Sequence, residues 1–128
     1  MKKGINYWAF PPKANGELLS ASETLQKAKA LGYDLVEFTV DPVGAVTPEI
    51  TREEAEAIKT EAEELNIGLE TLASGLAWGA SPTDPDPKTR ETAILNSKRQ
   101  VEIASWFGCH TILYLPGMVS ACFIPDFI

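Results

Sequence analysis

The chain of 128 residues is predicted to be α/β, its parallel strands and outer helices forming the first half of a (β/α)8 barrel. Three observations predict it. Short apolar segments suited to strands recur at residues 4–10, 35–41, 68–74 and 111–115, with an amphipathic helical pattern in each interval. Each strand-to-helix connection is long, whereas each helix-to-strand connection is a turn of about two residues. A helix that returns the chain to the edge it left makes successive strands parallel. The long loops then gather at the carboxyl ends of the strands, where barrels and open α/β sheets keep their binding sites. A flavodoxin-like open sheet, with helices on both sides, is the rival arrangement.

The first strand is followed by Pro11-Pro12, and a loop over residues 11–19 carries the turn dipeptide Asn15-Gly16. Ser20 and Glu23 stand at capping-box spacing and open the first helix. Leu25, Ala28 and Leu31 line its apolar face, and Gly32 supplies the left-handed residue that ends it. In the second strand Val36, Phe38 and Val40 share one face, while Leu35, Glu37, Thr39 and Asp41 share the other. The apolar face is assigned to the helices and the mixed face to a barrel interior or cleft. A second capping box, Thr51 with Glu54, starts the second helix, whose stripe is Ala55, Ile58, Ala62 and Leu65, closed by Asn66. Asp86 caps the third helix, with Pro87 in its first position. Its buried face is read as Ile94, Val101, Ala104 and Phe107, and Gly108 ends it. Half a barrel leaves an open inward face, here Leu35, Leu72 and the surface beside Ala73.

A net charge of −7 argues against nucleic acid, which requires clustered Lys and Arg. Lys27, Lys29, Arg52, Lys59, Lys98 and Arg99 fall on helix faces beside Glu and read as solvated, salt-bridging surface. Pro11-Pro12 cuts the first apolar stretch too short for a signal peptide, and no run approaches the roughly 18–20 apolar residues of a membrane helix. Cys109 and Cys122 lack metal or redox spacing, which fits a reduced cytoplasmic compartment, with Cys109 as a small core residue.

No glycine-rich phosphate loop follows any strand, and no GxSxG elbow is present. The single histidine, His110, opens the fourth strand at the end opposite the loops, a structural position. Glu37 stands out on the mixed face. A carboxylate there either serves a site or is satisfied structurally by backbone or an internal water, since burying it alone costs several kcal/mol. Asp41, followed by Pro42, reads as the start of a turn. Trp8 and Trp78 converge on the loop end, where an indole face suits a sugar ring; Trp78 as a plug over a packed loop is the other reading.

Four segments carry a family resemblance: Gly4-Ile5-Asn6-Tyr7-Trp8, Ala28-Lys29-Ala30-Leu31-Gly32-Tyr33-Asp34-Leu35-Val36-Glu37, Leu72-Ala73-Ser74-Gly75-Leu76-Ala77-Trp78-Gly79 and Thr111-Ile112-Leu113-Tyr114-Leu115-Pro116-Gly117. They resemble the xylose isomerase-like TIM barrel superfamily, and within it the sugar-phosphate isomerase/epimerase branch. The resemblance implies proton transfer beside a sugar carbonyl, with a divalent metal held by two Glu, one Asp and one His on strands five to eight. None of those ligands maps onto this chain, so no catalytic residue or metal is assigned to it alone. The resemblance carries over the first-half positions around the sugar: Asn6, Trp8, Glu37, Ser74 and Trp78. Relatives that act on DNA as AP endonucleases use several histidines and a basic groove, which this sequence lacks. The expected ligand is a small sugar or sugar phosphate. The apolar segment 123–128 and the open barrel edges suggest a truncated gene, or a naturally short protein that pairs two halves by self-association.

Overall fold

The computed structural model describes residues 1–117. The predicted terminal segment 123–128 and Cys122 lie outside the described residues. Four strands, β1 (Gly4–Asn6), β2 (Leu35–Val40), β3 (Thr71–Ser74) and β4 (Thr111–Ile112), alternate with three helices, α1 (Ala21–Ala30), α2 (Arg52–Glu64) and α3 (Pro87–Phe107). The sheet order is β1-β2-β3-β4, and every neighbouring pair is parallel. Sequential order distinguishes a partial barrel from a doubly wound sheet, in which the order reverses at a switch point.

The helices start and stop where their caps dictate. Ser20 and Thr51 each accept from the backbone three residues on, and Glu23 and Glu54 bond back to complete both capping boxes. The Asp86 side chain accepts from Thr89 N, with Pro87 opening α3. Asn66 at φ 53° and Gly108 at φ 75° take the left-handed turns that follow α2 and α3.

All three helices pack on one face of the sheet. Val36, Phe38 and Val40 are 1% exposed or less and share a core with Leu25 and Ala28 of α1, Ala55 and Ala62 of α2, and Ile103 and Phe107 of α3. Phe38 stacks on Phe107 with centroids 6.0 Å apart and meets Tyr7 at 6.2 Å. This is the outer layer of a (β/α) barrel; the opposite face of the sheet points inward.

Four expectations are corrected. The first strand ends at Asn6, because the Asn6 side chain accepts from Trp8 N and starts a 3-10 turn over Tyr7–Ala9. Leu72 lies in the helix-facing core at 0% exposure, not on the inward face. Leu35 pairs with Gly68 and Phe38 with Leu72, so β2 advances three residues while its partner advances four. That extra residue is a bulge, and it moves every later side chain of β3 to the other face. On α3, Ile94 and Val101 are exposed, and the buried face is Ala93, Gln100, Ile103, Ala104 and Phe107; on α1, Leu31 is likewise exposed. Arg99 is not solvated surface. Its guanidinium donates to Pro48 O and Ile50 O at 2.7 Å each, pairs with Glu102 and lies over the Trp106 ring, clamping the β2–α2 loop to α3.

Candidate functional site

The parallel register sets the site. Asn6 lies beside Glu37, and Thr39 beside Ala73, all facing inward. Extending the β2–β3 register back one residue puts Thr71 beside Glu37, and Thr71 pairs in turn with Thr111. A polar row, Asn6, Glu37, Thr71 and Thr111, therefore crosses all four strands on the inward face. Layers inside a barrel are normally filled by branched apolar residues, so a polar row there departs from plain packing. A hollow of about 270 Å3 opens on this face, lined by Gly4, Asn6, Leu35, Glu37, Glu70 and Thr71 among others.

The Asn6 amide donates to Glu37 Oε1 at 2.6 Å, and its own oxygen accepts from Trp8 N at 2.8 Å. One side chain thus holds the Glu37 carboxylate and starts the turn that presents Trp8. Above that row, Asp41 Oδ2 accepts from Trp8 Nε1 at 2.9 Å and from Thr39 Oγ1 at 2.5 Å. Two carboxylates, one amide, one hydroxyl and an indole that is 49% exposed are joined at the carboxyl ends of β1 and β2. Such a set can accept hydrogen bonds from hydroxyls and offer a flat apolar face beside them.

Tyr7 holds the rim. Its hydroxyl donates to Leu19 O at 2.8 Å and accepts from Ala45 N at 3.1 Å, tying the first and second loops together. Burial pushes its pKa above the ordinary value, so the proton that makes the first bond stays in place. Below the row, half-buried Cys109 has its Sγ 3.6 Å from Leu69 O. Burial, with a smaller contribution from the Glu37 charge, pushes that thiol up to about 11, as suits an inert core cysteine.

Of the five sequence-predicted residues, Asn6, Trp8 and Glu37 are brought together. Trp78 sits on a 3-10 turn over Leu76–Trp78 that follows β3, at the same end of the sheet and 38% exposed. Ser74 pairs with Val40, a helix-facing position; its hydroxyl donates to Val40 O and accepts from Leu76 N. It lines a crevice of about 10 Å3 against α3, room for about one water. Sequence reasoning placed Thr39 and Asp41 on the inward face with Glu37 by their alternate spacing, but read Asp41 as the start of a turn and assigned neither to the site. It missed Gln100, 3% exposed, whose amide donates to Leu72 O and Leu113 O and ties β3 to β4 beneath α3.

Among the described residues no three His, Cys, Asp or Glu side chains gather as metal ligands. Glu37 accepts from Asn6, and Asp41 accepts from Trp8 and Thr39, each through one carboxylate oxygen. No helix of the described residues is long and apolar enough to cross a membrane.

The fold recurs among solved structures. A D-psicose 3-epimerase from Clostridium cellulolyticum H10, solved with D-tagatose, superposes with a TM-score of 0.66 at 24% identity, over 88% of this chain and 36% of that one. A D-psicose 3-epimerase solved in the presence of D-fructose gives 0.62 at 22% identity, over 88% and 36% of the two chains. A xylose isomerase domain protein from Planctomyces limnophilus gives 0.62 at 22%, over 98% and 43%. The chain thus spans well under half the length of each. No curated protein sequence matches it. A family model described as xylose isomerase-like TIM barrel matches residues 25–126. With its sequential parallel sheet and one-sided helices, the chain belongs to the xylose isomerase-like TIM barrel family.

Proposed function

We propose that this chain is the amino-terminal half of a sugar or sugar-phosphate isomerase/epimerase, supplying one wall of the sugar site. The observation that carries this reading is the joined polar mouth, Asn6–Glu37 beside Trp8–Asp41–Thr39, at the strand ends of a family barrel. Asn6, Trp8, Glu37 and Trp78 would line the sugar, with Ser74 holding the end of β3 behind them. Neighbours solved with D-tagatose and D-fructose make a ketohexose the first ligand to try. In the resemblance, the divalent metal and the acid–base pair belong to strands five to eight, so the 128-residue chain alone has no isomerase activity.

Titrating D-fructose or D-tagatose into the purified chain while recording tryptophan emission tests the wall. A saturable change that Trp8→Ala removes is expected; no saturable change sinks the reading. Robust epimerisation of either sugar by this chain with added Mn2+ or Mg2+ would overturn the assignment of inactivity.

A second reading, a half-barrel that assembles with a second copy, is favoured by one observation. Ile94, Val101, Leu113 and Tyr114 are 47% to 56% exposed along one flank, beside a shallow groove lined by Ser97, Lys98, Val101, Ile112 and Tyr114. In a closed barrel each helix has a neighbour on both flanks; among the described residues the helix packed most closely against α3 is α2. Sedimentation should show a species heavier than the monomer, dissociated by Val101→Lys. A strict monomer at high concentration defeats it.

A further inference from the structure

Asp41 directly follows β2 and precedes a proline, yet its carboxylate does not make a turn. Its backbone N–H is already satisfied by Val46 O at 3.1 Å, while its side chain reaches across the mouth to Trp8 and Thr39 rather than to the loop that follows. Both of those groups meet the same oxygen, Oδ2. An indole N–H can only donate and a carboxylate can only accept, so the bond to Trp8 has one possible polarity. The Thr39 hydroxyl holds the carboxylate from a second direction. Among the described residues Oδ1 accepts no hydrogen bond.

Gly75 supplies the third part. Its φ of −91° is open to any residue, so no backbone strain calls for glycine. Space does: a Cβ at position 75 would overlap Asp41 Oδ1 and lie 3.5 Å from Cζ2 of the Trp8 ring. Three strand ends therefore meet in one arrangement, in which β3 gives up a side chain so that β2 can place a carboxylate against an indole delivered by β1.

We propose that Asp41 is a positioning residue of this mouth: it fixes the Trp8 indole through one carboxylate oxygen and keeps the other for a hydroxyl of a bound polyol. The second half of that statement rests on the sugar-site reading; the first half does not.

The test uses 1H–15N spectra of the full chain, in which the indole N–H of Trp8 is told from those of Trp78 and Trp106 by its loss in Trp8→Phe. In the wild type the Trp8 indole proton should resonate downfield and exchange slowly. Asp41→Ala and Gly75→Ala should both move it upfield and speed its exchange. Asp41→Asn, which still has one oxygen for Trp8 and Thr39, should keep the slow exchange. A Trp8 signal unchanged in Asp41→Ala overturns the positioning role, as does exchange in Asp41→Asn as fast as in Asp41→Ala.

D-fructose is the probe for the free oxygen. It should move the wild-type Trp8 resonance saturably, and Asp41→Asn, which puts an amide donor where Oδ1 stood, should weaken that response about tenfold or more. Equal affinity in Asp41→Asn overturns the hydroxyl contact. A Trp8 signal that responds to Asp41→Ala but never to sugar keeps the positioning role and sinks the sugar site.

Discussion

The two faces of β2 are held by different physics. Outward, Val36, Phe38 and Val40 are 1% exposed or less and are held by packing in a core shared with three helices and Tyr7. Inward, Glu37 and Asp41 are half-buried and held by directed hydrogen bonds from Asn6, Trp8 and Thr39. Burial of apolar area is non-directional and tolerates small displacements, whereas a hydrogen bond weakens steeply with misalignment. The outer face accordingly carries the stability, and the inner face carries the geometry a ligand would read. That division of labour within one strand is what places a site on a barrel without loosening it.

The sharpest way to break this comparison is at Phe38. Phe38→Ala should lose about 3–5 kcal/mol, read from the urea midpoint, because a ring stacked on Phe107 leaves a cavity. A loss below about 1 kcal/mol would mean that the outer face is not the main support. Ile103 and Val101 offer a second contrast on a single helix. Ile103→Ala should cost about 2–5 kcal/mol from its fully buried position, while Val101→Lys, at 55% exposure, should stay within about 0.5 kcal/mol.

The inner face should respond less and more specifically. Asn6→Ala is expected to cost about 1–2 kcal/mol, reduced by partial exposure, and a double-mutant cycle with Glu37→Ala should show coupling near 1 kcal/mol. Zero coupling would make the Asn6–Glu37 bond incidental to the fold.

Acid gives the smallest effect and touches neither face. The Glu23 carboxyl is lowered to about 2, first by its bond to Lys13 and then by the N-cap of α1 at Ser20. A folded pKa below the unfolded value near 4.5 means its contribution is present above pH 4.5 and is lost as pH falls toward 2. Glu23→Gln should flatten the pH dependence of stability in that window, measured by urea midpoints at successive pH values. An unchanged slope would remove the capping box from the acid response.

Much of the molecule could be read in its sequence because the signals are local. Ser20 with Glu23, Thr51 with Glu54, Asp86 with Pro87, and the left-handed Asn66 and Gly108 set helix ends through neighbours within a few residues. The faces of β2 followed from period-two alternation along an uninterrupted strand. The stripe on α3 was ambiguous for a physical reason. Ile94 and Val101 are seven residues apart, as are Ala93 and Gln100, so both arcs fit the helical period. Only the sheet decides which arc it covers.

By itself the sequence determined the order of strands and helices, their parallel direction and the helix boundaries, while its family resemblance pointed to Asn6, Trp8 and Glu37. The tertiary structure alone decided the bulge that turned Leu72 and Ser74 toward the helices, the reach of Asp41 to Trp8 over Gly75, and the clamp of Arg99 on the loop at Pro48 and Ile50. Each of these joins residues from separate elements, at separations of about 30 to 70 residues that no local propensity encodes. The register of one strand against another is set by long-range pairing, and one inserted residue there reverses every side chain beyond it.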